Sequence, residues 1–400
     1  MRTALACSLA ALAAGGCAAP EAQDPPPEPA APVSWQQFPV PPDAELRAQI
    51  EKALDLKLRR DFDRFLDARE PGELLEHAVL TQKELEKAKL GIEALFIIGD
   101  ELFDYEFRPE NGLGNGLAGR PGTEAGALPP PNLRRVHRGE FGGPDSHNCS
   151  SCHLKGGVDG AGQNTQNAFL RGDGASTLAA DERNPPHLLG LGPIEALARE
   201  MSAELAEHRD RAVTGARLGN QAVEAPLAAK GVSFGVLRAL PDGTVDASRI
   251  EGVDPDLIVK PFGWKGHQAT LRGMVEESFR IHLGLVSTRD QQRVRDGQAP
   301  AAAYGDGDWY DVDRDGASLE IDEGMLTTMV VYLSQLEAPV IRPPRTEMLL
   351  DYHARGATLF REATCDGCHR PSLELRDPVL EVRPRGAAAA DVEPIRVDVA

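Results

Sequence analysis

The chain has 400 residues, 43 Lys and Arg against 62 Asp and Glu, a net charge of −19, and few aromatics at 5%. That length suffices for two or three domains. The acidity speaks against a nucleic-acid binder and would attract a basic electron-donor protein.

Residues 1–17 read as an export leader. Arg2 is the charged start, and Ala4 to Ala14 is an apolar run too short to span a membrane. Ala14-Gly15-Gly16-Cys17 is similar to a lipoprotein cleavage site, with Ala14 where Leu is usual. Lipidation at Cys17 and a periplasmic location are therefore expected. Residues 18–40 form a tether whose start, Ala18 to Pro32, is rich in Pro and Ala.

Residues 41–340 are expected to form a first module. Leu46, Ile50, Leu54 and Leu58 recur at helical spacing from Asp43 onward. A second helical run covers Gly72 to Phe107, with Gly91 and Gly99 as soft points, and closes on Gly99-Asp-Glu-Leu102-Phe103. A Gly/Pro/Asn-rich loop follows from Pro109 to Asp145.

Cys149-Ser-Ser-Cys152-His153 is the attachment pattern for c-type haem, and Cys365-Asp-Gly-Cys368-His369 repeats it. Two thiols at this spacing add to the two haem vinyl groups, and the adjoining His becomes the proximal iron ligand. A bare C-x-x-C also suits a redox dithiol or half a zinc site. The His following it twice argues against both. Cys7 and Cys17 are the remaining cysteines, so no pair is left for a disulfide framework. Gly356-Ala-Thr-Leu359-Phe360 repeats G-x-x-L-F just ahead of the second motif.

Past Arg183-Asn-Pro185-Pro186-His187, a helix is expected over Pro193 to Arg211, then a small strand-and-turn insertion over 213–258. Residues 259–285 hold Lys260-Pro-Phe-Gly-Trp264-Lys-Gly-His267 and a helix over Gln268 to Leu283. Asp311-Val-Asp313-Arg-Asp315-Gly316 is the first half of a calcium loop. Its twelfth position is Asp322, where Glu is usual, and a solvated acidic loop capping a helix over Glu323 to Leu336 is the other reading. Residues 341–400 make the second module, expected to be cut short.

For the first haem, His187 is the first credible distal ligand after His153, held by two prolines. For the second, no Met, His, Lys, Tyr or Cys follows His369. A sixth ligand must then come from His267, His282, His353, Met274, Met325, Met329 or Met348, or the site is open, or the chain is truncated.

The order CxxCH, R-N-P-P, F-G-W-x-G, G-x-x-L-F and a second CxxCH resembles bacterial dihaem cytochrome c peroxidases and related dihaem oxidoreductases, over most of residues 95–370. The resemblance implies two covalently bound haems, a donor such as a small redox protein, and hydrogen peroxide as oxidant. It implies that Trp264 relays electrons between the haems, with Lys265 and His267 in place of the family's Asp and Arg. It puts His282 near the family's catalytic Glu, with Glu276 and Glu277 as alternatives. The Met that ligates the family's high-potential haem is missing here. The expected fold is mainly α: two cytochrome c-like modules with long Gly/Pro-rich loops and the small insertion. The alternatives are a dihaem electron carrier and an oxidase of a partner protein.

Overall fold

The computed structural model describes residues 81–114, 136–138, 144–163, 166–299, 307, 310–318, 320–339, 345–367, 369–370, 372–385 and 392–399. The leader with Cys17, the tether, the helix expected from Asp43 and Cys368 lie outside them. All described residues belong to one unit, residues 46–400.

The core is organised by one helix. Glu323–Gln335 (α6 in chain order) is apolar on nearly every side and buried from Glu323 to Ser334. Such a helix is stable only when surrounded. Its start is set by Asp322, whose carboxylate accepts the Gly324 N–H at 3.1 Å and the Gln82 N–H at 2.8 Å. Two helices precede it in the chain, α1 (Gln82–Ala88) and α2 (Ile92–Asp104). Helix α2 packs along α6 through Gly99, where an added Cβ would sit 2.4 Å from the Thr328 carbonyl oxygen and 2.6 Å from Tyr332 Cβ. Leu95, Ile98, Leu102 and Phe103 of α2 fill the same core. Each such side chain contributes roughly 1.5–3 kcal/mol on burial.

Helix α3 (Leu191–Gly219) begins at Gly190 and ends at Asn220, both in the left-handed region. Ala196 in its first turns joins the main core, while Leu205, Ala212 and Ala216 face a separate one. That second core is closed by the antiparallel sheet β4 (Val223–Ala229), β5 (Val232–Ala239) and β6 (Val245–Ile250). Leu227, Phe234, Leu237 and Ala239 supply its inner face.

Helix α4 (Leu271–Ser278) is capped by the Thr270 hydroxyl, which accepts the Gly273 N–H. It runs into a π-helical turn, Phe279–Leu283, closed by Gly284 at φ +74°. A short α5 (Thr288–Arg295) follows, capped by Ser287. Helix α7 (Glu347–Glu362) stands apart, with no buried residue. Met348, Tyr352, Leu359 and Phe360 are all exposed on it.

The remaining strands are short. β1 (Val136–Arg138), β2 (Ala168–Gly172) and β3 (Asp181–Arg183) form one sheet, with β1 parallel and β3 antiparallel to β2. β7 (Val379–Val382) and β8 (Ile395–Asp398) form a two-stranded pair. Leu380, Val382, Val397 and Val399 return to the core around α6. The strands β7 and β8 thus pack with the main body, and α7 has no buried residue.

The expectation of a mainly α fold is corrected. Among the described residues, with 40% helix, 17% strand and three sheets, the content is mixed α/β. Strands of three to five residues leave too short a period-2 record to stand out from loops. They form here because the tertiary fold supplies their partners.

Element ends also differ. The helix expected over Gly72 to Phe107 is broken at 89–91, where Lys89 takes φ +50° and Gly91 starts α2 anew. It stops at Asp104 because Tyr105 is extended. The helix after Pro193 runs eight residues past Arg211, held there by the sheet it covers. The helix expected over Gln268 to Leu283 starts at Leu271 and changes to π at Phe279.

Candidate functional site

The first C-x-x-C-H sits at the end of α2. The Cys149 and Ser150 N–H groups both donate to the Phe103 carbonyl, at 3.1 and 3.3 Å. Cys149 packs against the main core, and burial together with Cys152 and Asp104 pushes its thiol up to about 12. Burial also raises Cys152. A redox dithiol or zinc thiolate requires the opposite shift. A thioether needs no thiolate once formed, so the environment suits attachment better than ligation or exchange.

His153 is fixed by two contacts. Its ring centroid lies 6.2 Å from that of Phe103. Its Nδ1 is 2.8 Å from the Pro186 carbonyl oxygen. A carbonyl only accepts, so Nδ1 carries the proton and Nε2 presents its lone pair. Burial, the largest influence, lowers the His153 pKa and so favours this neutral form. A ligating imidazole is typically held in this way, by its other ring N–H. The residues present therefore fit a proximal iron ligand.

Arg183-Asn-Pro-Pro-His187 is thereby given a place. The Pro186 carbonyl anchors His153, and the next N–H but one, of Leu188, donates to the Asp159 carbonyl. His187 itself is exposed. The segment braces the His153 ring, a role that sequence reading missed because it belongs to a backbone atom.

The second motif is placed on a one-turn 3-10 helix, Cys365–Gly367, at the end of α7. His369 donates its backbone N–H to the Cys365 carbonyl, and its ring lies 6.1 Å from Phe360. Both residues are exposed. Of the upstream ligand candidates, Met325 and Met329 are locked in the core on α6. His267 Nε2 is engaged by Glu277 at 2.6 Å. His353 and Met348 are exposed on α7.

His282 lies in the π-helical turn. Its Nδ1 donates to Asp145 Oδ2 at 2.9 Å. The same carboxylate takes Nε2 of His137 at 2.8 and 3.0 Å, and His137 is fully buried. Asp145 also donates its backbone N–H to the His282 carbonyl, at 2.7 Å. Burial works to raise the Asp145 carboxyl, but the two histidines outweigh it and hold the group well below the usual carboxylate range. A charged Asp145 fixes the tautomer of His282, leaving Nε2 as a base on a side chain 36% exposed.

The alternatives Glu276 and Glu277 are committed elsewhere. Glu276 accepts from Ser287 Oγ at 2.6 Å and pairs with Arg289 at 3.0 Å. Glu277 holds His267 and Gln268. Trp264 is half-exposed at 38% and faces three cations. The Arg183 guanidinium is 3.5 Å from its ring centroid, with Lys265 at 4.6 Å and Arg171 at 5.4 Å.

Carboxylate oxygens of Asp311, Asp313 and Asp315 lie within 4.8 Å of one another. Burial and then the charges of Asp315 and Asp311 push Asp313 up to about 9. Asp322, the twelfth position of the loop, caps α6 instead. Glu320, which sequence reading passed over, is buried, and burial first and then the charges of Asp313 and Asp315 push its carboxyl well up.

Among the described residues, no helix is long and apolar enough to cross a membrane. No family model, no curated protein and no solved structure matches the chain.

Proposed function

We propose that the chain is a dihaem c-type oxidoreductase of the peroxidase type, exported and tethered to a membrane through Cys17. The observation that carries this is His153: a C-x-x-C-H histidine whose Nδ1–H is spent on the Pro186 carbonyl, which leaves the ring lone pair on Nε2. Cys149, Cys152 and His153 would hold one haem, and Cys365, Cys368 and His369 the other. Bound there, the haems supply electron storage and an iron that takes peroxide.

The chain's own residues then move protons. Reduction of peroxide takes two electrons and two protons and yields two waters. In this reading His282 Nε2 accepts a proton from one peroxide oxygen and returns it to the other. Asp145 orients the ring and stabilises its charged form, and His137 holds Asp145 from the buried side. Trp264 is the proposed relay between the haems. The electrons come from a small redox protein or another donor, drawn by a net charge of −19.

The test is expression with haem-attachment machinery, followed by intact mass and haem counting. Two haems are expected. Replacing Cys149 and Cys152 by Ser, or Cys365 and Cys368 by Ser, should remove one each. A product at bare polypeptide mass with no Soret absorption overturns the reading. Peroxide turnover decides the rest. His282→Gln should lower kcat/KM for peroxide by about 10²–10⁴. Two haems that stay low-spin in every redox state, without turnover, would make the protein an electron carrier.

A further inference from the structure

Asp313 is 1% exposed, and among the described residues neither of its carboxylate oxygens has a hydrogen-bond partner. Glu320 is 3% exposed; its Oε2 accepts the Val286 N–H at 2.7 Å, while its Oε1 has no partner. Asp315 Oδ2 is likewise buried without a partner. Buried carboxylate oxygens left unpaired on three residues are costly unless a cation shares them.

The chain around them is already shaped for one. Asp311 Oδ2 accepts the Gly316 N–H at 3.1 Å, and Gly316 makes the sharp bend at φ +96°. Ala317 donates to Asp315 Oδ1, which turns the remaining oxygen of that carboxylate inward. Gln291 ties the two ends of the loop together through the Tyr310 and Ser318 carbonyls, at 3.1 and 2.7 Å. Val312 is buried beside Val286. Gly112 leaves the room that Glu320 occupies: a Cβ there would stand 2.3 Å from Glu320 Cγ.

We propose that Asp311, Asp313, Asp315 and Glu320 bind one calcium ion, with Glu320 taking the part that the loop's sequence assigns to Asp322. The donors are all oxygen, which selects a hard cation over zinc or copper. Calcium takes more oxygen donors, about six to eight, in a more flexible shell than magnesium, which keeps several of its waters, so a site crowded with carboxylates favours calcium. Glu320 also carries the ion's influence inward. It holds the backbone of Val286, four residues beyond His282, and packs against Gly112, whose neighbour Gly114 donates to the Leu283 carbonyl.

The experiment takes the full-length purified protein, strips it with chelator, and titrates calcium chloride and magnesium chloride by calorimetry, with melting followed in parallel. One calcium per chain is expected, bound at least tenfold tighter than magnesium, with a higher Tm in calcium than in chelator. Glu320→Gln should weaken calcium at least tenfold. It should melt higher than wild type in chelator, because a buried repulsion is gone, and lower in calcium. Asp313→Asn should repeat that crossover. Asp322→Asn should lower Tm in both conditions through its cap while leaving calcium affinity within about threefold. No heat and no calcium-dependent melting would overturn the proposal. So would loss of affinity in Asp322→Asn with affinity kept in Glu320→Gln.

Discussion

Phe360 meets His369 with ring centroids 6.1 Å apart, as Phe103 meets His153 at 6.2 Å. The two pairs come from the two copies of G-x-x-L-F followed by C-x-x-C-H. In the first copy 45 residues separate Phe103 from Cys149, and in the second four residues separate Phe360 from Cys365. The same aromatic contact is reached across very different loop lengths. The repeat is therefore a packing unit, in which the helix end supplies the ring on which the motif histidine rests.

The glycines of the two copies should respond differently to one added methyl group. At Gly99 a Cβ would collide with the Thr328 carbonyl and Tyr332. Gly99→Ala should therefore destabilise the protein by about 2 kcal/mol or more, through forced separation of α2 and α6. Gly356 has nothing within 4 Å and sits inside α7. Gly356→Ala should be neutral or stabilise by roughly 0.5–1 kcal/mol through helix propensity. Urea denaturation of both variants checks this, and equal losses would refute the difference in packing.

Asp145 should matter to stability as well as to proton transfer. Its folded pKa lies below the unfolded value of about 3.9. The stability it contributes is thus present above about pH 4 and is lost as pH falls through the folded value. Asp145→Asn should cost about 3 kcal/mol at pH 7, since the buried His137 and the partly exposed His282 both lose their charged acceptor. The gap between variant and wild type should close in acid. A gap independent of pH down to 3 would show that the carboxylate charge is not what matters.

Asp159 should act with the opposite sign. It is 5% exposed, accepts from Tyr332 Oη at 2.8 Å, and is pushed up to about 6, chiefly by burial. The folded state then holds a proton that the unfolded state releases between about pH 4 and 6. Stability from this group falls as pH rises through that window. Asp159→Asn removes the titration, so the variant should gain on wild type by up to about 2–3 kcal/mol between pH 4 and 7. Tyr332→Phe should cost about 1–3 kcal/mol by removing a buried donor. Denaturant midpoints across the pH range measure both.

The cations around Trp264 bear on its proposed relay role. A positive charge 3.5 Å from the ring centroid opposes removal of an electron from the indole. Trp264→Phe should slow electron exchange between the haems severalfold with both spectra unchanged. Arg183→Gln should speed it by removing the nearest of the three charges. Flash-photolysis rates in the mixed-valence protein would decide, and a rate indifferent to both changes removes Trp264 from the path.

What could be read from the chain was what is local. The helix over Glu323 to Gln335 and its preceding Asp are written in consecutive residues. So are the helix after Pro193, the strand-rich insertion and the Asp-x-Asp-x-Asp-Gly turn. The three-residue strands and the pairing of 379–382 with 395–398 were not legible, and the mainly α expectation failed on them. A strand that short has no pattern of its own until a neighbour supplies hydrogen bonds.

By itself the sequence determined which residue types could do chemistry: two cysteine pairs with adjoining histidines, a row of aspartates, and one tryptophan among glycines. The tertiary structure alone decided their partners. It brought Asp145 to His282 across 137 residues, and the Pro186 carbonyl to His153 across 33. It also turned Asp322 to the start of α6 and buried Glu320 with one oxygen on the Val286 N–H. The reason is that a partner's identity rests on burial and distance. Those come from how α2, α4 and α6 pack around a common core, and no local spacing encodes them.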